Sequence, residues 1–159
     1  MKAGRLVVKN FDARIPKIEI KPKGSNSKIV IHSKMYDETD DKKINVKITF
    51  TDVAAIEFCI NYFDNMIGAE VMGLYEIEDT DFMDTVMKRN FERRREVYLL
   101  EGGYDYDPAE PADMLNMFDI FGFYQKEKEK YHAFVQNVDA GVYIIIAKEY
   151  QINTVCYGK

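Results

Sequence analysis

Val142-Tyr143-Ile144-Ile145-Ile146-Ala147 is the stretch that most constrains what this chain can fold into. Both of its alternating faces are apolar, with Val142, Ile144 and Ile146 on one side and Tyr143, Ile145 and Ala147 on the other. A strand of this kind has to be covered on both faces, which makes it a candidate for the centre of a sheet. His132 to Gln136, just before it, also reads extended. Asn137-Val138-Asp139-Ala140-Gly141 supplies the turn chemistry, so the two segments are expected to form a C-terminal hairpin.

Other strands follow from alternation. Leu6 to Val8 reads as a short first strand, and Lys17-Ile18-Glu19-Ile20-Lys21 alternates charge and isoleucine as a half-exposed strand does. Pro22 and Gly24-Ser25-Asn26-Ser27 break the chain before Lys28 to Met35, which is extended again. After the polar loop Asp37 to Lys43, Ile44, Val46, Ile48 and Phe50 point one way and Asn45, Lys47 and Thr49 the other. One face of this early sheet is expected to be wet. Residues 53–63 satisfy two templates: Val53, Ile56, Ile60 and Phe63 fit a helix, while Ile56, Phe58, Ile60 and Tyr62 fit a strand. Composition favours the strand, since Ile, Phe, Cys and Tyr are middling helix formers and no capping box precedes them. Glu70 to Ile77 completes the set.

The long helix is expected over Thr80 to Leu100. Phe82, Met83, Val86, Met87, Phe91, Arg94, Val97 and Tyr98 recur at three- and four-residue spacing, Asp79 or Thr80 can cap the start, and Gly102-Gly103 supplies the stop. A shorter helix can open at Pro111-Ala112-Asp113 and run over about 112–121. The fold class is therefore α+β: a mainly antiparallel β-sheet or two-layer β-sandwich with one long inserted helix at about 80–100. No internal repeat or linker divides the chain, so residues 1–159 are expected to form a single globular domain.

Composition narrows the function classes. A net charge of −5 argues against a nucleic-acid-binding domain, which needs a basic surface to neutralise phosphates. Met1 to Lys9 has no secretory apolar core, and no segment approaches the ~18 apolar residues of a membrane span, so a cytoplasmic protein without membrane contact is expected. Cys59 and Cys156 stand far apart without CxxC spacing and read as ordinary thiols.

Few residues carry a chemical signal. Asp105-Tyr106-Asp107 resembles the start of a calcium loop, but the later ligand and glycine positions, counted from Asp105, hold Ala109, Glu110 and Asn116, so neither a metal nor another cofactor is expected. His32 and His132 stand in no nucleophile or metal motif, and Gly102-Gly103 follows a helix rather than a strand, which makes it a terminator and not a phosphate cradle.

What remains is surface chemistry. Tyr104, Asp105, Tyr106, Asp107 and Glu110 form an acidic, aromatic loop suited to a basic protein partner. Lys88, Arg89, Arg93 and Arg95 make either a solvated helix face matched to the helix dipole or a surface facing an anion. The reading that follows is a non-catalytic protein-interaction domain, an inhibitor of the immunity or antitoxin type. Two alternatives stand beside it: a small hydrolase using His132 with a loop carboxylate, and a homo-oligomer joined through Met114, Met117, Phe118, Phe121 and Phe123.

Overall fold

The computed structural model describes residues 4–8, 17–21, 27–37, 42–60, 71–103, 124–138 and 141–155. In chain order they form β1 (Arg5–Val8), β2 (Lys17–Lys21), β3 (Lys28–Asp37), β4 (Lys42–Ile60), β5 (Val71–Ile77), α1 (Thr80–Leu100), a 3-10 turn (Lys128–Lys130), β6 (His132–Val138) and β7 (Gly141–Val155). All seven strands join one antiparallel sheet in the order β1-β5-β6-β7-β4-β3-β2. The fold is α+β and mostly β. The short helix expected over about 112–121 lies outside the described residues.

β7 is the central strand, and its two apolar faces feed two separate cores. Ile145 and Ala147 pack with Ile29, Ile31, Ile48, Phe50, Leu74 and Phe134. Ile144 and Ile146 pack with Ala55, Ile77, Ala133, Tyr124 and the helix residues Met83, Val86 and Met87. The expected hairpin is present, with Phe134 opposite Ile145 and Val138 opposite Gly141.

The first core is covered by the sheet itself. Tyr150 stands five residues beyond Ile145, the partner of Phe134, a run of roughly 16 Å in a straight strand. The Phe134 and Tyr150 rings nevertheless meet at 5.1 Å, and Phe134 and Phe50 at 5.0 Å. The sheet must therefore bend. The bend falls where β4 and β7 run side by side, at Asp52, whose backbone is left-handed (φ 53). Ser27 pins the corner: its hydroxyl donates to the Val53 carbonyl (2.7 Å), and the Val53 amide donates to the Ser27 carbonyl (3.3 Å).

β4 joins into one strand the two segments that alternation separates. Inward residues run Ile48 and Phe50, then Val53 and Ile56, all against the first core. The spacing of three arises at the Asp52 corner and at the irregularity between Val53 and Ala55, where Ala54 and Ala55 both turn to the second core. The helix-like spacing of Val53 and Ile56 is thus the signature of an irregular strand, while residues 61–63 of that stretch lie outside the described residues.

α1 covers the second core with its first half. The Asp79 carboxylate accepts from the Phe82 amide (3.2 Å), capping the start. At the other end Gly102 N–H donates to the Leu99 carbonyl (3.1 Å) and Gly103 N–H to the Tyr98 carbonyl (2.9 Å), a Schellman stop with Gly102 at φ 87. A side chain at Gly103 would collide with the Tyr98 ring. Glu57 of β4 ties the helix down, accepting from Arg89 Nη2 (2.8 Å), Arg89 Nε (3.2 Å) and Asn90 Nδ2 (3.0 Å). Tyr124, fully buried, donates to Asp84 (2.8 Å). Burial and that bond both raise the phenol's pKa.

Candidate functional site

The basic residues of α1 do not form one free cationic face. Arg89 is paired with Glu57 and Arg95 with Glu92 (3.1 Å), which leaves Lys88 and Arg93 on the outer surface. These two share an open depression with Thr85, Arg89, Glu92 and Glu96. Among the described residues its lining comes from α1 alone, and Glu92 and Glu96 alternate with the cations. The result is a mixed-charge stripe. Beyond it the last turn is apolar and exposed: Val97 is 52% accessible and Leu100 86%. The chain then passes through Gly103 towards Tyr104, Asp105, Tyr106, Asp107 and Glu110, which lie outside the described residues, as do Met114, Met117, Phe118, Phe121 and Phe123.

A second cluster forms where β5 ends and β6 begins. Glu76 and Glu78 stand two apart along the chain, the spacing that puts side chains on the same face of extended backbone. Glu76 pairs with Phe134 and Ile77 with Ala133, so the same register brings Glu78 across from His132. All three side chains thus share the face turned away from α1. On the neighbouring strand β1, Arg5 pairs with Glu76.

The electrostatics of this cluster are asymmetric. Glu76 is 6% exposed, a burial that a carboxylate tolerates only with partners. Its Oε2 accepts from Arg5, through Nη2 and through Nε at 3.1 Å, and the same contact raises the pKa of Arg5. Its Oε1 lies 3.0 Å from His132 Nδ1. That approach is not an aligned hydrogen bond, and Nδ1 remains buried without a partner. His132 as a whole is 30% exposed. One carboxylate oxygen of each glutamate and one ring nitrogen of His132 lie within 4.8 Å of one another.

The carboxylate that meets His132 therefore comes from β5. Glu110 and the other loop acids expected to serve it are outside the described residues. His32 is held differently, its Nε2 2.6 Å from Glu19 Oε1 between β2 and β3, while Lys21 takes the other Glu19 oxygen at 2.8 Å. Burial alone raises the pKa of Tyr143, which stacks edge-on against Phe58 at 5.0 Å.

No sequence motif marks Glu76, Glu78 or Gln136. Gln136 is 1% exposed, and neither its amide oxygen nor its nitrogen has a hydrogen-bond partner. A signal did exist for Glu76, since it alternates with Leu74 and so falls on a core-facing side of β5. Its pairing with His132 depends on strand order, which alternation does not carry. Among the described residues no helix is long and apolar enough to cross a membrane. No family model matches the chain, and neither a curated protein nor a solved structure matches it.

Proposed function

We propose that this chain is a non-catalytic interaction domain of the cytoplasm, an inhibitor of the immunity or antitoxin type that binds a basic protein. The observation that carries the reading is the exposed end of α1. Val97 and Leu100 offer apolar surface beside a stripe of fixed charges, and an apolar patch with a polar rim is the composition of a protein-binding surface. The same turn leads directly into Tyr104 to Glu110, whose three acids and two tyrosines supply anionic steering and aromatic anchors. α1 is a rigid mount for such a surface, because Met83, Val86, Met87 and the Glu57 bonds fix it to the sheet.

Cross-linking in the native cell tests this. Lys88, exposed on α1, is the amine nearest the proposed surface in sequence, and it should give cross-links to a protein rich in Lys and Arg. A variant carrying Leu100→Asp, Asp105→Asn, Asp107→Asn and Glu110→Gln should lose those cross-links while keeping the circular dichroism and thermal midpoint of the parent. Unchanged cross-links in the variant, or a partner without basic character, would overturn the reading.

A further inference from the structure

We infer that Glu76, Glu78 and His132 form a binding site for a single divalent transition ion, with Zn²⁺ the best match. Three observations lead there. The first is separation. Two ligands on one tetrahedral Zn²⁺ at about 2.0–2.2 Å each stand about 3.3–3.6 Å apart. Glu76 Oε1 and His132 Nδ1 are 3.0 Å apart, so a small opening of the pair reaches that spacing.

The second is direction. Adjacent ligands both point at the ion and not at each other, so the carboxylate oxygen must lie off the axis of the ring nitrogen. This is how the pair stands: Nδ1 approaches Glu76 yet is buried with no hydrogen bond. A buried nitrogen left unpaired costs free energy, and an ion on its axis would recover it.

The third is support. Ligating carboxylates are themselves held by hydrogen bonds in metal sites. Arg5 grips Glu76 Oε2 and leaves Oε1 turned to His132, so the arginine orients the ligand without occupying the coordinating oxygen. Glu78 is exposed and free of the sheet's ladder, and its carboxylate lies within 4.8 Å of the other two ligand atoms. An imidazole with two carboxylates suits Zn²⁺, Mn²⁺ or Fe²⁺ better than Ca²⁺ or Mg²⁺, which prefer all-oxygen shells. Arg5 brings one fixed positive charge to the two acidic side chains.

The experiment is a titration of the chelator-treated full chain with Zn²⁺ alone, followed by calorimetry and by thermal unfolding. Saturable binding of about one ion per chain, with a rise in the unfolding midpoint, is expected, since an ion that binds only the folded state stabilises it by mass action. Glu78→Gln should weaken binding by about tenfold or more, yet leave the midpoint in chelator unchanged, because Glu78 is a surface residue. His132→Gln should do the same to binding, and Zn²⁺ should shift the His132 Nδ1 resonance in the parent. The proposal falls if the parent shows no saturable binding below about 1 mM, a standard free energy of only about −4 kcal/mol. It falls equally if either variant binds as the parent does. Neither result would bear on partner binding at the end of α1.

Discussion

Replacing Gln136 by leucine should stabilise the protein. Gln136 sits on β6 opposite Leu74 on one side and Tyr143 on the other, two residues from Phe134 on the same face. It is 1% exposed, and both polar atoms of its amide are unpaired. Each buried, unsatisfied donor or acceptor costs about 1–3 kcal/mol. Leucine is close to glutamine in volume, so the exchange leaves no cavity of consequence and replaces desolvated polar atoms with methyl groups that suit Leu74 and Phe134. Setting part of the relief against imperfect repacking leaves a net gain of about 1–3 kcal/mol. For a chain of this size that is an increase of roughly 3–10 °C in the midpoint. Urea unfolding followed by circular dichroism measures it, with a higher midpoint concentration and an unchanged slope expected. Gln136→Glu makes the opposite prediction, since an ionised carboxylate at the same place would be buried without a cation. A leucine variant less stable than the parent would refute the reasoning, because it would mean that the amide is paired in the folded protein.

Three other outcomes follow from the sheet and its surface. Asp52→Val should cost about 1–2 kcal/mol by forcing a β-branched residue into the left-handed region, whereas Asp52→Asn should change stability little; urea unfolding separates the two. Glu127 is held down at about 2 by Lys130 and then Lys148, below its ordinary value of 4.5. A depressed carboxylate contributes stability above the unfolded value that is lost as pH falls towards the folded one, so Glu127→Gln should flatten the stability profile between those two pH values. Because the group is exposed, the difference should be small and should shrink in about 1 M salt. Ile145→Asp should prevent folding, since it buries an unpaired charge between Phe134 and the rest of the first core, and a folded variant by circular dichroism would place the core elsewhere.

The features legible in the sequence are those set by neighbours along the chain. α1 runs from Thr80 to Leu100 as its periodicity and caps predict, because Asp79, Gly102 and the apolar stripe act within a few residues of one another. The central position of β7 is legible for a similar reason: two apolar faces demand two covers, whatever supplies them. β4 is where local reading loses its hold. A period of two assumes regular pleating, and Asp52 and Ala54 interrupt it, so Val53 and Ile56 share a core at a spacing borrowed from a helix. The candidate ion site was hidden more deeply. Glu78 and His132 meet only because β5 and β6 are sheet neighbours, and a helix and a long connection separate those strands in the chain.

The bend at Asp52 also decides where function can reside. By folding one limb of the sheet over the other it spends the middle of both faces on packing: Phe50 and Tyr150 close over Phe134 on one side, and α1 closes over Ile144 and Ile146 on the other. Chemistry is left to the margins of that arrangement. At one margin the limbs do not fully cover the start of β6, and a histidine that keeps an exposed edge meets a buried carboxylate that Arg5 holds from the other side. At the other margin α1 outruns the sheet, and its last turn exposes leucine and valine that packing would otherwise claim. The two margins lie on opposite faces of the sheet, one beyond α1 and one on the face turned from it. An ion at Glu76 and His132 can therefore stabilise the fold without touching a partner at Leu100, so the variants named for each site should act on one measurement and leave the other alone.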